Sequence, residues 1–514
     1  MKLVVSKANL YDCWLRYGLP CTRTVQGLPI VLVVLGLTSR ILFIGRYPGE
    51  WDEVDFALAL RDYDIVAQQP HFPGYPVYVW LSRMAMGLAG GEAHALGLVS
   101  AFFGGLAVLP LYYLALYMYS RRVALLAAFL FLTNPACWLY SEKPLSEATA
   151  LFFLLLSLYL LFLCVQESVN PWIPPLGAFF MGITLGVRLD YFPFLSALFY
   201  VLTYAHWRYS IFRVSCFFGA FALGVILWLF PLVIVVGLKA LSHQALDFTQ
   251  GHFASWGGSI VTTPDPAVRL GHLLWDVFPA GLGLWWIDLP YMQLIPSACL
   301  LSGLYAFLKG NEHGLQRRFI LAALLPYLLW VFFAQNVEKP RHVVPLIPML
   351  LVAASAGMLH SGGLTNQTPT RMVRAGFLVL TVIILGAFSL GLVYHYSQSR
   401  PPLMQLVSYV QSAPDGPDRL STRIYCGESK RLFEYYAPGW DARRVRDWAG
   451  LRYDYMASLC PPPNLLVTSE VVSDLDKDGG GPTYIKYIKR FEGDRYIYAP
   501  YHEIVLLGVD SHGL

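Results

Sequence analysis

The stretch that decides the fold is Gly49–Tyr78, GEWDEVDFALALRDYDIVAQQPHFPGYPVY. It places six carboxylates and a histidine directly after the first long apolar run, residues 27–45. In a soluble protein this would be an ordinary solvated loop. Here the surroundings are apolar: of 514 residues, 56% are hydrophobic and 14% charged, where soluble domains carry about 25% charged residues. The chain therefore reads as an integral membrane protein, and the acidic stretch as its first loop outside the bilayer.

A membrane helix needs ~20 mostly apolar residues. About eleven segments meet that need: 27–45, 95–118, 122–140, 146–165, 174–189, 191–206, 213–237, 279–308, 318–334, 343–360 and 375–396. The polar lead before the first segment carries Lys2, Lys7, Arg16 and Arg23 and no small-residue cleavage site follows, so it reads as an uncleaved signal anchor with a cytoplasmic N-terminus. Loops with Arg121/Arg122, Arg208/Arg213, Lys309/Arg317/Arg318 and Arg371/Arg374 fall on the same side; the positive-inside bias makes that side cytoplasmic. The sequon at Asn366 falls there too. The opposite side receives 46–94, the turn Glu142–Pro144, the loop Lys239–Asp276, the turn Gln335–His342 and the tail from Ser397.

Residues 401–514 change in composition. Strand-like runs (RIYCG, NLLVTS, HEIVLLGV) mix with helix-like ones (KRLFEYYA, YIKYIKRF), which implies a small extracytoplasmic α/β domain behind a transmembrane domain at 1–400. The expected fold is thus an α-helical polytopic membrane protein with a C-terminal α/β domain. A net charge of +4 and the lack of Lys/Arg clusters give no case for nucleic acid. Eight cysteines show no metal-ligand spacing. Cys426 and Cys460, both in the tail, could pair only in an oxidising compartment.

Within WDEVDFALAL, apolar residues recur at helical spacing, which predicts a short amphipathic helix along the outer membrane surface. Asp52 and Asp55 share a face of it and Glu53 points elsewhere. The bland reading is a solvated acidic face. The segment QQPHFPGYPVY follows, with His71 and Tyr75 in a stiff turn of three prolines and a glycine; its bland reading is a connector. Four other outer features carry charge: Glu142, Lys143 and Glu147 in YSEKPLSE; Arg188 and Asp190 at a helix break; Lys339, Arg341 and His342 at a helix entrance; His243, His252 and Trp256 in the long loop. Glu147 at a helix start suits the helix dipole, and an Arg near a helix end can simply snorkel. Together, however, acids and cations converge on one interface from distant parts of the chain. Ionisable groups at such places are functional suspects. A carboxylate can take a proton from an acceptor hydroxyl, and cations can hold a departing phosphate. An apolar groove can seat a lipid tail.

These motifs resemble the GT-C integral-membrane glycosyltransferases, closest to the protein O-mannosyltransferase and aminoarabinose transferase branch. WDEVDFA is similar to the Asp-Glu motif of O-mannosyltransferases, PHFPGYPVY to a His-Pro-Pro-Gly-Tyr-Pro segment of a related branch, and KPRHVVPLIPML to an RY-x-x-P-x-x-P entry to a late helix. The layout covers the first ~400 residues, with about four short motifs in sequence. The resemblance implies inverting transfer from a polyprenyl-phosphate sugar to a lipid, glycan or protein acceptor. Asp52 would be the general base, Glu53 the second motif acid, Glu147 an acid near the reaction centre and Arg341 a phosphate contact. Charge and side alone add Lys143 and Arg188 as phosphate contacts, with His342 beside them. Asp55, His71 and Tyr75 fall to acceptor-site support. No cofactor is certain; a divalent cation near Asp52, Glu147 and a histidine stays open. Phe72, His342 and Asp55 stand where the related motifs carry Pro, Tyr and His, which leaves sugar and acceptor undefined. The chain lacks a long inserted luminal domain, which favours a bacterial inner membrane with the C-terminus outside.

Two other readings compete. A transporter or lipid flippase predicts charges near the bilayer midplane and similar halves. A membrane scaffold with a partner-binding tail leaves the acidic loop unexplained.

Overall fold

The computed structural model describes residues 27–165, 170, 172–204, 210–284, 290–310, 314–360, 368–412, 418–458, 461–472, 485–499 and 501–510. The polar lead, Asn366 and Cys460 lie outside these residues.

Among the described residues, six helices are long and apolar enough to cross a membrane: Glu92–Met118, Ile211–Val236, Tyr291–Lys309, Gly314–Ala334, Pro340–Leu359 and Met372–Ser412. Shorter apolar helices run Gly27–Ile41, Glu147–Leu163, Ile173–Val187 and Leu189–Thr203. The 122–140 segment is two pieces, Arg121–Leu132 and Pro135–Leu139. They break where Asn134 turns its side-chain oxygen onto the Cys137 N–H and Pro135 starts the second piece. The 279–308 segment is also broken: its continuous helix begins only at Leu294. Pro279 and Gly283, whose φ of 69° suits only glycine readily, interrupt it upstream.

Helices meet through small residues. A side chain at Gly36 would strike the Gly105 carbonyl at 2.5 Å, so Gly27–Ile41 and Glu92–Leu106 touch backbone to backbone. Gln316 Nε2 donates to the Met118 carbonyl at 2.9 Å, which joins the helix end before Arg121 to the start of the Gly314–Ala334 helix. The acidic loop, the turn before Glu147, the break at Arg188 and the entrance at Arg341 meet in direct ion pairs.

The tail holds a five-stranded sheet of order β2-β1-β3-β5-β4. β1 (Thr422–Cys426) pairs in parallel with β2 (Asp441–Arg444) and β3 (Asn464–Thr468), while β5 (Glu503–Val509) runs antiparallel to β3 and to β4 (Ile485–Glu492). KRLFEYYA is the expected helix, Lys430–Tyr436. YIKYIKRF is a correction: residues 485–492 form edge strand β4. Its inward residues Ile485, Ile488 and Phe491 lie three apart, as on a helix, because a bulge at Ile488 shifts the alternation. Cys426 is a buried free thiol.

The acidic helix forms as Trp51–Arg61, but it does not lie on the outer surface. Glu53 through Ala57, Ala59 and Leu60 are buried. Val54 enters the core of the α/β domain with Leu406, Ile424 and Phe433. Phe56 packs edge-on to Tyr75 and Tyr78, with centroids 4.9 and 5.2 Å away. The helix is a wedge between two cores. Full burial of each such side chain contributes about 1.5–3 kcal/mol, and Asp52 and Asp55 are tolerated there because each meets a guanidinium.

Candidate active site

Asp52 opens the wedge helix and its carboxylate is 20% exposed. Arg341, at the entrance to the Ile347–His360 helix, donates from Nη2 to Asp52 Oδ2. Arg341 is 8% exposed and also lies 3.8 Å, Nε to Oε1, from Glu147. Glu147 is the first residue of its helix. Arg188 donates from Nη1 to Glu147 at 2.7 Å and to Ser146 Oγ at 3.3 Å. Its Nε and Nη2 fork onto Asp190 at 3.0 and 2.9 Å. The result is an alternating chain, Asp52–Arg341–Glu147–Arg188–Asp190, drawn from four separate segments.

Burial pushes the Asp52 carboxyl up, but Arg341, His71 and Lys339 pull it further down, well below the usual carboxylate range. Asp52 is therefore an anion at neutral pH. Lys339 lies 5.8 Å above the Tyr501 ring of the tail domain. Arg341 has unspent capacity: its buried Nε has no hydrogen-bond partner.

The second acid on the same face, Asp55, is fully buried. Its Oδ2 meets His71 Nδ1 at 2.9 Å, and His71 Nε2 meets the Tyr75 hydroxyl at 3.0 Å. With Asp55 ionised, Nδ1–H donates and Nε2 accepts from Tyr75. Its Oδ1 accepts from Arg431 Nε at 2.6 Å. Burial raises the Asp55 carboxyl, and His71 and Arg431 only partly reverse that. The proline-rich turn sets this geometry. Gly74 has φ of 91°, and a side chain there would meet the Tyr63 hydroxyl at 2.5 Å. Tyr75 then adopts a left-handed backbone before the helix Pro76–Ala85 begins. The His71 ring stacks on Phe248 of the long loop at 5.9 Å, and Phe248 on His252 at 6.1 Å.

Glu53 and Lys143 lie apart from this chain of charges. Lys143 is 1% exposed, with Nζ 2.5 Å from Glu50 Oε1 and 3.9 Å from Glu53 Oε1. The other Glu53 oxygen accepts from the Gly49 N–H at 2.6 Å. Burial, then the neighbouring Glu50, pushes the Glu53 carboxyl up to about 8. Lys143, expected as a phosphate contact, is buried and hydrogen-bonded to Glu50. Arg188 is paired in the same way with Glu147 and Asp190. His342 is buried, with Nδ1 unpartnered, and its carbonyl accepts from the Tyr327 hydroxyl at 3.0 Å. His243 pairs with Asp247 in the exposed Leu238–Gly251 helix.

Asp52, Asp55 and His71 each offer a ligand atom within 4.8 Å of the others, close enough to hold a metal ion. Asp55, rather than Glu147, completes this set. The donors are engaged, however: both Asp55 oxygens and both His71 nitrogens have partners, and Arg341 holds Asp52. A cation held there would compete with the His71–Asp55 hydrogen bond and with Arg341 for Asp52.

Three participants carry no signal in sequence: Glu50, which holds Lys143; Arg431, which lies 376 positions from Asp55; and Tyr501 under Lys339. Only burial and partnership reveal them.

Residues 69–234 match the family described as dolichyl-phosphate-mannose-protein mannosyltransferase. Comparison with curated proteins gives no match. Among solved structures, ArnT from Cupriavidus metallidurans bound to undecaprenyl phosphate is similar at TM-score 0.55 and 12% identity, covering 94% of this chain and 97% of that one. Its apo state gives TM-score 0.54 and 12% identity, covering 94% and 98%. The Archaeoglobus fulgidus oligosaccharyltransferase gives TM-score 0.49 and 12% identity, covering 91% and 73%. The chain thus shares the fold of ArnT along nearly all of its length, and its residues 69–234 are similar to the mannosyltransferase family.

Proposed function

We propose that this protein is an inverting glycosyltransferase. It moves a sugar from a polyprenyl-phosphate-linked donor to an acceptor hydroxyl on the extracytoplasmic side of the membrane. The observation that carries this reading is the partly exposed Asp52 anion beside Arg341, a guanidinium with an unspent donor, on an interface built from four segments. The similar ArnT structure holds undecaprenyl phosphate, the leaving group this chemistry produces.

Asp52 accepts the proton of the acceptor hydroxyl. That oxygen attacks the anomeric carbon from the face opposite the phosphate. The bond from the anomeric carbon to the phosphate oxygen breaks, and its electron pair leaves with polyprenyl phosphate. Arg341 stabilises that charge, with Lys339 next to it. Glu147 and Arg188 hold Arg341 in place and do not themselves reach the donor. A carboxylate clamped by Arg341 is a weak base, so donor binding has a second effect. When the phosphate shares the guanidinium, the hold on Asp52 loosens and its basicity rises toward that needed for proton transfer. Lys143 and Glu53 brace the wedge helix.

In this reading the chain crosses a bacterial inner membrane about eleven times, with residues 1–400 as the transferase domain. The N-terminus is cytoplasmic and the 401–514 domain lies outside. The transporter or flippase reading is disfavoured because the described charge clusters meet at helix ends and loops, not along a path across the bilayer. The test is turnover: purified protein given polyprenyl-phosphate sugars and candidate acceptors should release polyprenyl phosphate. A folded sample that moves lipid across vesicles without releasing phosphate would replace this reading with the flippase.

A further inference from the structure

We propose that Arg431 is a positioning residue, through which the C-terminal α/β domain holds the Asp55–His71–Tyr75 loop in its working shape. This rests on the transferase reading above. Arg431 sits on the Lys430–Tyr436 helix after β1 and is 7% exposed. Every arm of its guanidinium is used. Nε donates to Asp55 Oδ1 at 2.6 Å. Nη2 donates to the Gln68 and Ala67 carbonyls at 2.6 and 3.3 Å. Nη1 donates to Glu434 at 2.7 Å. One side chain thus ties the wedge helix to the turn that precedes His71.

That tie falls on a strained residue of the turn. Gln68 has a left-handed backbone with φ of 59°, unfavourable for a residue with a Cβ. The Arg431 bond falls on the carbonyl of this residue. The turn is also closed by the backbone pair Asp64 N–Gln69 O and Gln69 N–Asp64 O, at 2.8 and 2.7 Å, by the Gln68 N–H on the Ile65 carbonyl, and by Asp64 Oδ1, which accepts from the Val66 and Ala67 N–H groups. On the other side of Asp55 the effect passes to His71. With Oδ1 taken by Arg431, Oδ2 is left to hold His71 Nδ1, which aims Nε2 at the Tyr75 hydroxyl. The Arg188 guanidinium lies 5.9 Å from the Tyr75 ring, which links the loop to the Glu147–Arg341 side. Neighbouring contacts strengthen the same joint: the Tyr436 hydroxyl donates to the Pro48 carbonyl at 3.0 Å, and Arg444 lies 4.5 Å over the Trp51 ring. The α/β domain therefore completes the wall of the site. Arg431 acts through Asp55, so it needs no contact with substrate.

The experiment compares wild type, Arg431→Gln, Arg431→Lys, Asp55→Asn and the double variant Arg431→Gln/Asp55→Asn. It measures kcat and KM for a polyprenyl-phosphate sugar, and backbone amide exchange over residues 64–75. Misplaced groups lower turnover more than affinity, so Arg431→Gln should lose ~10–100-fold in kcat with donor KM within ~2-fold. Arg431→Lys, which keeps the charge and loses the fork, should recover part of it. The double variant should be no worse than ~2-fold below the weaker single, because residues acting through one contact are not additive. Amides of 64–75 should exchange at least ~10-fold faster in Arg431→Gln while β1, β3 and β5 stay protected. Unchanged kcat, fully additive losses, or unchanged exchange in the loop would each overturn the proposal. If wild type transfers nothing, the transferase reading fails by itself and exchange decides: faster loop exchange keeps the positioning contact, unchanged exchange removes it.

Discussion

Replacing Lys143 by Met separates a phosphate contact from an internal counter-ion. The Lys143 ammonium is 1% exposed, 2.5 Å from Glu50 and 3.9 Å from Glu53. At an effective dielectric of about 20, a pair near 4 Å is worth about 4 kcal/mol. Removing one partner of a buried pair costs about 3–5 kcal/mol, because the other charge stays buried and uncompensated. Unfolding entropy of about 2.1 cal/mol/K per residue over the 514 residues gives about 1.1 kcal/mol/K, so the variant should melt about 3–5 °C lower in detergent. The pH dependence fixes the cause. Glu53 titrates near 8 in the native state, above its ordinary carboxylate value. The native protein therefore keeps a proton that the unfolded chain has lost, and the stability this gives is lost as pH rises through about 8. Without Lys143 nothing repays the second charge, so the deficit should widen between about pH 6 and about pH 9. Adding Glu50→Gln removes the stranded anion and should restore at least half of the loss. Melting followed by intrinsic fluorescence reads wild type and both variants. Lys143→Met melting within about 1 °C of wild type at both pH values, with a raised donor KM, would refute this and return Lys143 to the phosphate.

Arg341→Gln should lower kcat ~10²–10³-fold, the range for losing one preorganised donor at developing charge, and Arg341→Lys should recover only part; unchanged turnover would move the phosphate elsewhere. Because guanidiniums already neutralise the acids, saturating chelator should leave release of polyprenyl phosphate within ~2-fold. A larger loss, restored by added divalent metal, would show that a cation displaces Arg341 or Arg431. For topology, a cysteine at exposed Arg446 should react with an impermeant maleimide added outside intact cells, and one at exposed Arg318 only after permeabilisation. The reverse pattern would invert the proposed orientation.

Much of the site was legible because it depends on local features. An acid pair three apart on a helix, a Pro/Gly turn with a histidine, and charges at helix ends each leave a mark in sequence. Asp52, Asp55, His71, Tyr75, Glu147, Arg188 and Arg341 do meet in space. What sequence could not show is which cation each acid takes. Charge and side suggest Lys143 and Arg188 as phosphate contacts; only the fold shows that each also pairs with a buried carboxylate, Glu50 and Glu147. Arg431 sits in KRLFEYYA, where it looks like any solvated helix residue. The wedge helix has the pattern of a surface helix, yet it is buried because the tail domain packs over Val54, Leu58 and Asp55. β4 misled for the opposite reason: a bulge gave a strand the three-residue apolar spacing of a helix.

The most direct test of the central claim is release of polyprenyl phosphate by wild type and by Asp52→Asn, with equal melting temperatures as the control. The account predicts release by wild type and a loss of at least ~100-fold in the variant, within the span of general-base catalysis. Equal release by both would contradict it and remove Asp52 from the chemistry.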